Sequence, residues 1–242
     1  MLTLHRAEFL LPDPAGPTDP AGLTGSTALS FADGAVVVRG ELVEAVGPYA
    51  ELAAAHPSAR VRDWGRALLA PGLRNPCGQR LLERDYHPDP REEIGVEPVV
   101  DGLVGCADET RYGASARRGL QRMLGYGVTA VAGPFARAAV RTAVARSGLV
   151  ALPGAGGPLE SGAGSLDPVV ALDPLAVPMD PLVALDPLAV LPLARAVYGR
   201  VAAGGRADFA VFPVAVEEGG VRPVAGGCLA TVLGGRLVYR RR

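Results

Sequence analysis

The sequence predicts an α/β protein in which β-structure at both chain ends brackets a helical middle. Three observations carry this. Runs rich in β-branched residues occur near the N-terminus, at Ala35–Val38 and Leu42–Val46, and similar runs return near the C-terminus, at Asp208–Phe212 and Cys228–Tyr239. Between them, segments of helical period alternate with short apolar runs. Finally, 49% of the 242 residues are apolar, ample for a packed core.

The elements follow in order. Leu2, Leu4, Phe9 and Leu10 mark an opening strand, which the Pro and Gly cluster from Pro12 to Gly25 breaks. Ala35–Val38 and Leu42–Val46 flank Arg39-Gly40-Glu41, a hairpin with its glycine in the turn. A short helix between Pro48 and His56 precedes a strand around Ala59–Asp63. From Asp108 to Gly125, Tyr112, Ala116, Leu120, Met123 and Leu124 recur at helical spacing with arginines opposite. Gly125-Tyr126-Gly127 stops that helix and Val128–Val131 continues as a strand. Pro134 in a first turn opens a helix over Phe135–Ser147, and Gly148 ends it before the strand Leu149–Leu152. Another helix is expected over Pro192–Ala203. The closing strands are Asp208–Phe212, Cys228–Leu233 and Arg236–Tyr239, with Gly234-Gly235 as the last turn.

One segment is low in complexity. Asp-Pro occurs at Asp167-Pro168, Asp173-Pro174, Asp180-Pro181 and Asp186-Pro187, and the seven residues Ala171–Val177 recur verbatim as Ala184–Val190. Proline at this density blocks a continuous helix and interrupts a sheet ladder, which predicts an extended or turn-rich connector over about 158–192. Its aspartates lack the close, alternating oxygen ligands and the turn glycine of a calcium loop.

Charge and cysteine usage exclude several classes. A net charge of −1 argues against nucleic-acid binding by bulk electrostatics. Cys77, Cys106 and Cys228 are too far apart for a CxxC site, and an odd count fits a reducing cytoplasm. His5, Arg6 and Glu8 interrupt the apolar N-terminal run, so it does not read as a signal peptide, and no apolar stretch has the length of a membrane span.

The most informative stretch is Leu68-Leu69-Ala70-Pro71-Gly72-Leu73-Arg74-Asn75-Pro76-Cys77-Gly78-Gln79. It resembles the start of the catalytic barrel in the amidohydrolase superfamily, the imidazolonepropionase and aminofutalosine deaminase branch in particular. There a strand ends in Pro-Gly-Leu, and a following His-x-His projects two imidazoles from one face of the extended chain onto a metal. Aligned on Pro71-Gly72-Leu73 and Asn75, those two positions are Cys77 and Gln79. The hairpin from Gly34 to Pro48, the segment Gly205-Arg206-Ala207-Asp208-Phe209-Ala210-Val211-Phe212 and the closing hairpin Val232–Arg240 are similar to family segments in the same order. The helix followed by Gly127-Val128-Thr129-Ala130-Val131 is similar to the approach to the second barrel strand. The resemblance implies a composite β-sandwich formed by both chain ends, residues 1–70 and 204–242, around a truncated (β/α) barrel remnant, residues 71–203. A full barrel needs about 250 residues, so this one is incomplete.

Weighed for chemistry, the candidates are few. Cys77 could serve as a thiolate ligand or nucleophile, but no histidine lies near it in sequence, and a buried inert thiol is the simpler reading. Gln79 is a weak neutral ligand. His87 sits among five carboxylates in Glu83–Glu93, where Pro88 and Pro90 oppose convergence and a solvated polar loop is expected. His5 and His56 are assigned structural roles. Gly154-Ala155-Gly156-Gly157-Pro158 follows a strand but offers no helix start for a phosphate. No histidine follows His87 to complete a site. The expectation is therefore a chain with no catalytic metal and no cofactor.

Two functions remain open. One is a non-catalytic relative that serves as a binding or assembly partner, with a protein partner, a second copy of itself or a small molecule as ligand, and with neither nucleic acid nor membrane. The other, implied by the resemblance, is a hydrolase acting on a non-peptide C–N bond in a cyclic amidine, amide or aminofutalosine-type substrate, through an altered site.

Overall fold

The computed structural model describes residues 2–13, 31–154, 180–217 and 220–241. In chain order its elements are β1 (Leu2–Leu10), β2 (Phe31–Arg39), β3 (Leu42–Pro48), α1 (Tyr49–Ala55), β4 (Arg60–Asp63), β5 (Ala67–Pro71), β6 (Leu73–Asn75), α2 (Gly78–Glu83), a 3-10 turn (Pro90–Glu92), α3 (Glu109–Leu124), β7 (Val128–Ala132), α4 (Ala138–Ser147), β8 (Val150–Leu152), α5 (Pro181–Leu185), α6 (Pro187–Val190), α7 (Leu193–Ala196), β9 (Phe209–Glu217), β10 (Gly220–Pro223), β11 (Ala230–Leu233) and β12 (Arg236–Arg240). The class is mixed α/β, with one large sheet and one small sheet. The strands of the small sheet do not close into a barrel among the described residues. No helix among those residues is long and apolar enough to cross a membrane. The chain divides into two compact units, Met1–Arg74 with Leu124–Thr129 and Leu188–Arg242, and Asn75–Met123 with Ala130–Pro187.

The first unit holds the large sheet, ordered β12-β11-β9-β5-β1-β2-β3, with β10 paired to β9 and β4 to β1. The two ends of the chain meet where β5 pairs antiparallel with β9, from Ala67 opposite Pro213 to Pro71 opposite Phe209. Strands from both termini therefore share one hydrogen-bonded sheet. That sheet also returns on itself: Leu42 bridges Arg206, the Val43 amide donates to the Gly205 carbonyl and the Ala207 amide to that of Glu41. The run Ala35–Val38 is apolar at every position because both faces of β2 are covered. Val36 and Val38 point into a core with Leu10, Leu69, Phe209, Val211 and Val232. Ala35 and Val37 point the other way, with Leu4, toward Tyr49, Leu52 and Ala53 of α1. Period-two alternation sends successive residues to opposite faces, and burial of each valine stabilises by roughly 1.5–3 kcal/mol.

The Gly205–Phe212 segment has a structural explanation. The Asp208 carboxylate accepts the Gly234 amide at 2.7 Å and pairs with Arg206 at 2.9 Å, while the Gly235 amide donates to the Ala207 carbonyl. Asp208 thus clamps the turn between β11 and β12. Gly127, with φ 81°, ends the turn after α3 where a Cβ would stand 2.8 Å from the Phe212 ring and 2.9 Å from the Ala210 Cβ, so neither the backbone conformation nor the space admits a side chain.

Several boundaries differ from expectation. Helix over Pro192–Ala203 is confined to α7, because the Tyr198 amide donates to the Gly72 carbonyl and the Val201 amide to that of Pro12, diverting donors a longer helix would need. The helix expected from Phe135 starts at Ala138. The Arg137 amide donates to Glu83 Oε1 and the Ala139 amide to Glu109 Oε2, so carboxylates from elsewhere in the second unit satisfy its first donors. The strand expected from Cys228 starts at Ala230.

Where it is described, from residue 180, the connector forms two short helices. Asp180 accepts the Leu182 amide at 2.8 Å and Pro181 occupies the first turn of α5, and Asp186-Pro187 likewise leads into α6. Asp-Pro here leads into short helices, since proline's fixed φ suits a first helical turn, and at α5 the aspartate side chain caps it. Asp167-Pro168, Asp173-Pro174, the first repeat Ala171–Val177 and Ala155–Pro158 lie outside the described residues, as does the Pro12–Gly25 cluster beyond Asp13.

Candidate functional site

The resemblance places the chemistry just after β6, and the local sequence turns the chain there. The Asn75 side chain accepts the Cys77 amide through Oδ1 at 2.8 Å, an Asx turn across Pro76, which itself has no amide to donate. Cys77 then stands at the N-cap position of α2, with no side-chain capping bond, and Gln79 lies within the helix. The expected extended geometry is not adopted. Two residues apart on a strand share a face, but two residues apart at a helix start are separated by about 200° of rotation. Cys77 and Gln79 therefore do not converge.

The space beside them is filled by protein. A Cβ at Gly78 would meet the Val131 side chain and stand 2.6 Å from the Ala132 carbonyl oxygen, so α2 begins flush against β7. The Asn75 Nδ2 donates to the Ala184 carbonyl at 2.8 Å and lies 3.4 Å from that of Leu185, which draws the end of α5 over the same residue. Asn75 is fully buried, as are Ala184 and Leu185. The Cys77 thiol is buried, and burial pushes its pKa above the ordinary thiol value; Arg80 opposes this and Asp85 adds to it. Such a thiol is protonated at neutral pH and a poor nucleophile or ligand. Gln79 is half-buried and uncharged.

His87 departs from the solvated loop expected of it. It is completely buried. Helix α3 explains this: Ser115 Oγ accepts the His87 amide at 2.9 Å, Arg118 Nε donates to its carbonyl at 2.7 Å, and Gly119 leaves room for the ring, 2.7 Å from where a Cβ would stand. The ring Nε2 donates to the Leu81 carbonyl at 2.8 Å, which assigns the proton to Nε2. Nδ1 is buried without a partner among the described residues. Burial lowers the pKa to about 4, so the imidazole is neutral near pH 7.

Four of the five carboxylates around His87 are engaged elsewhere. Glu83 accepts the Arg137 amide; Asp89 and Glu92 form a capping box on the 3-10 turn; Glu92 also accepts the Tyr86 hydroxyl. Asp85 is fully buried, accepts the Asp101 amide at 3.0 Å and faces Arg80 at 3.6 Å, and burial raises its pKa. These oxygens hold backbone amides and guanidinium groups. Among the described residues no three His, Cys, Asp or Glu side chains are placed to share a metal ion. The donor set at Cys77, Gln79 and His87 does not fit the two-imidazole metal site that the resemblance implies. His5 has the structural role expected: it is buried in the first unit, stacked on Trp64 and edge-on to Phe209. The buried Arg80–Asp85 pair was not anticipated, because a separation of five residues across a helix end carries no periodic signal.

Comparison with known proteins bears on the first unit. Residues 34–59 match the family model of the bacterial imidazolonepropionase-like composite domain, a span covering most of β2, all of β3 and α1. No curated protein sequence matches the chain. Among solved structures, the chain is similar to Aspergillus niger ochratoxinase (19% identity, TM-score 0.41, 63% of this chain and 31% of that one). It is also similar to guanine deaminase from Bradyrhizobium japonicum (19%, 0.40, 63% and 34%) and to Helicobacter pylori aminofutalosine deaminase (15%, 0.39, 63% and 33%). The chain spans about a third of the length of these structures. The hairpin and helix at residues 34–59 are thus similar to the imidazolonepropionase-like composite domain of bacteria.

Proposed function

We propose that this chain is a non-catalytic, amidohydrolase-like protein that acts in the cytoplasm as a binding or assembly partner. In this reading the first unit serves as the composite β-sandwich of the family, and β6, β7 and β8 with their helices are the remnant of a barrel. The observation that carries the proposal is the turn at Asn75. It directs Cys77 and Gln79 into a helix start, where one is a buried protonated thiol and the other a neutral amide. A catalytic zinc needs about three convergent protein ligands and an open position. These two residues supply neither the charge nor the convergence.

The alternative is a C–N hydrolase with an altered site, and one experiment separates the two. Untagged protein is analysed for bound metal and assayed for amidine hydrolysis with and without added zinc. The proposal expects substoichiometric metal and no turnover above buffer. Chelator-sensitive turnover that disappears in Cys77→Ala would make Cys77 a ligand and the chain an enzyme.

A further inference from the structure

We infer that Arg60, Arg62 and Arg240 form a binding site for a small oxyanion of the phosphate class on the core-facing side of the large sheet. Strand β4 pairs in parallel with β1, Arg60 beside Thr3 and Arg62 beside His5. Residues two apart on a strand share a face, so Arg60, Arg62 and Trp64 stand on one side together with Thr3 and His5. That side carries the core: His5 lies edge-on to Phe209 and stacks on Trp64, and Trp64 packs against the buried cluster that includes Ala7 and Phe209. Strand β12 brings the third arginine to the same place. Arg240 pairs with Ala230 of that cluster, and its guanidinium lies 5.8 Å from the centre of the Trp64 ring.

No carboxylate neutralises the three groups. Among the described residues Arg60, Arg62 and Arg240 have no ion pair. The carboxylates of the same strands, Glu8 and Asp63, alternate to the opposite face, where Asp63 pairs with Arg6 at 3.1 Å and Glu8 lines a depression with Arg6, Asp33 and Arg66. Glu51 belongs to α1, which packs on that opposite face as well. Glu44 is paired with Arg39 and Asp208 with Arg206, Glu41 sits in the exposed β2–β3 turn, and neither β11 nor β12 carries an acidic residue. Arg62 is half-buried, and burial together with the guanidinium groups of Arg60 and Arg240 holds its pKa below the ordinary arginine value. Arg62 in turn adds to the burial that lowers His5, so the imidazole stays neutral near pH 7 and contributes no charge.

Three cations gathered on one face without a counter-ion repel one another, and an oxyanion reverses the sign of that energy. Guanidinium forks donate paired, charge-assisted hydrogen bonds to phosphate oxygens. The Thr3 hydroxyl, on the same face beside Arg60, has no partner among the described residues and adds a neutral donor. Trp64 supports Arg240 from beneath through a cation–π contact. Because Arg62 is half-buried between its neighbours, a compact anion reaches all three groups, whereas a flat lipid surface meets only the exposed Arg60 and Arg240. None of these residues belongs to the turn at Asn75, so the inference does not rest on the proposed function.

Trp64 is the sole tryptophan of the chain, and its fluorescence reports on this site alone. The probe is inorganic phosphate, titrated at constant ionic strength against potassium chloride. The wild-type protein is expected to show a saturable fluorescence change, half complete on the order of 1 mM or below, and a Tm that rises with phosphate concentration. Arg62→Gln and Arg240→Gln are each expected to weaken phosphate at least ~10-fold in both readouts. Arg146→Gln, an exposed arginine of the other unit, should leave both unchanged. Far-ultraviolet circular dichroism checks that each variant is folded. An equal response to chloride, no saturable response to phosphate, or a response that survives both Arg62→Gln and Arg240→Gln overturns the inference. So does binding to phosphatidic acid vesicles by a protein that gives no response to inorganic phosphate, because the arginines would then serve a membrane surface.

Discussion

The side-chain amide of Asn75 joins two segments distant in sequence: its Nδ2 donates to the Ala184 carbonyl at 2.8 Å while its Oδ1 accepts the Cys77 amide at the same distance. One buried residue thereby sets both the turn that misaligns Cys77 and Gln79 and the position of α5. Replacing it removes a donor and an acceptor together. Asn75→Ala is expected to destabilise by about 3 kcal/mol, the scale of leaving buried polar groups unpaired, read as a lower urea midpoint with unchanged slope. Asn75→Asp keeps the acceptor for Cys77, loses the donors and buries a charge; it should be no more stable than Asn75→Ala.

Gly78 makes the adjoining contact. A methyl group there has the Ala132 carbonyl oxygen at 2.6 Å, and a backbone atom cannot rotate away. Gly78→Ala should cost roughly 1–3 kcal/mol despite alanine's better helix propensity, as overpacking does elsewhere. By contrast Gln79→Ala, on the same helix with its side chain half-buried, should change stability by less than ~0.5 kcal/mol. Equal effects at the two positions would mean that α2 does not sit flush on β7.

The thiols should report the same burial. Cys77 and Cys228 are buried and Cys106 is partly exposed. Burial raises the Cys77 thiol and lifts that of Cys228 to about 11. In native buffer Ellman's reagent should therefore titrate Cys106 first, with Cys77 and Cys228 reacting only on unfolding in urea. Fast reaction of Cys77 in the native protein would contradict the filled site and reopen a nucleophilic role for it.

Two buried histidines make stability depend on pH. His5 is lowered to about 3 by burial and by Arg62, and His87 to about 4 by burial. An unfolded histidine titrates near 6.5, so below that value the unfolded chain binds protons that the folded chain refuses. The stability these groups contribute is complete above about pH 6.5 and is lost as pH falls toward their folded values, by at most ~1.4 kcal/mol per pH unit for each. His5→Phe, which keeps the packing on Trp64 and Phe209, should flatten the acid side of the stability profile. Buried Asp85 and Asp208, whose pKa values are raised, act in the opposite direction and are common to both proteins, so the difference between the two profiles isolates His5.

What the sequence alone determined is the part encoded by local pattern. The hairpin at Ala35–Val46, the helix α1, the amphipathic helix α3 and the strand at Val128 were legible because period, turn residues and stop signals lie within a few residues of one another. The family resemblance was legible for the same reason, as short segments in order. Tertiary structure alone decided the rest. Only the pairing of β5 with β9 put the two chain ends in one sheet, and only the donors diverted to Gly72 and Pro12 cut α7 to Leu193–Ala196. The burial of His87 came from Ser115, Arg118 and Gly119, on a helix more than twenty residues downstream. The fate of Cys77 and Gln79 was decided where the Asn75 side chain found a carbonyl more than a hundred residues away. Hydrogen bonds between distant residues leave no period in a sequence, yet in a buried site each polar group must be satisfied, and that requirement selected the helix start over the extended strand.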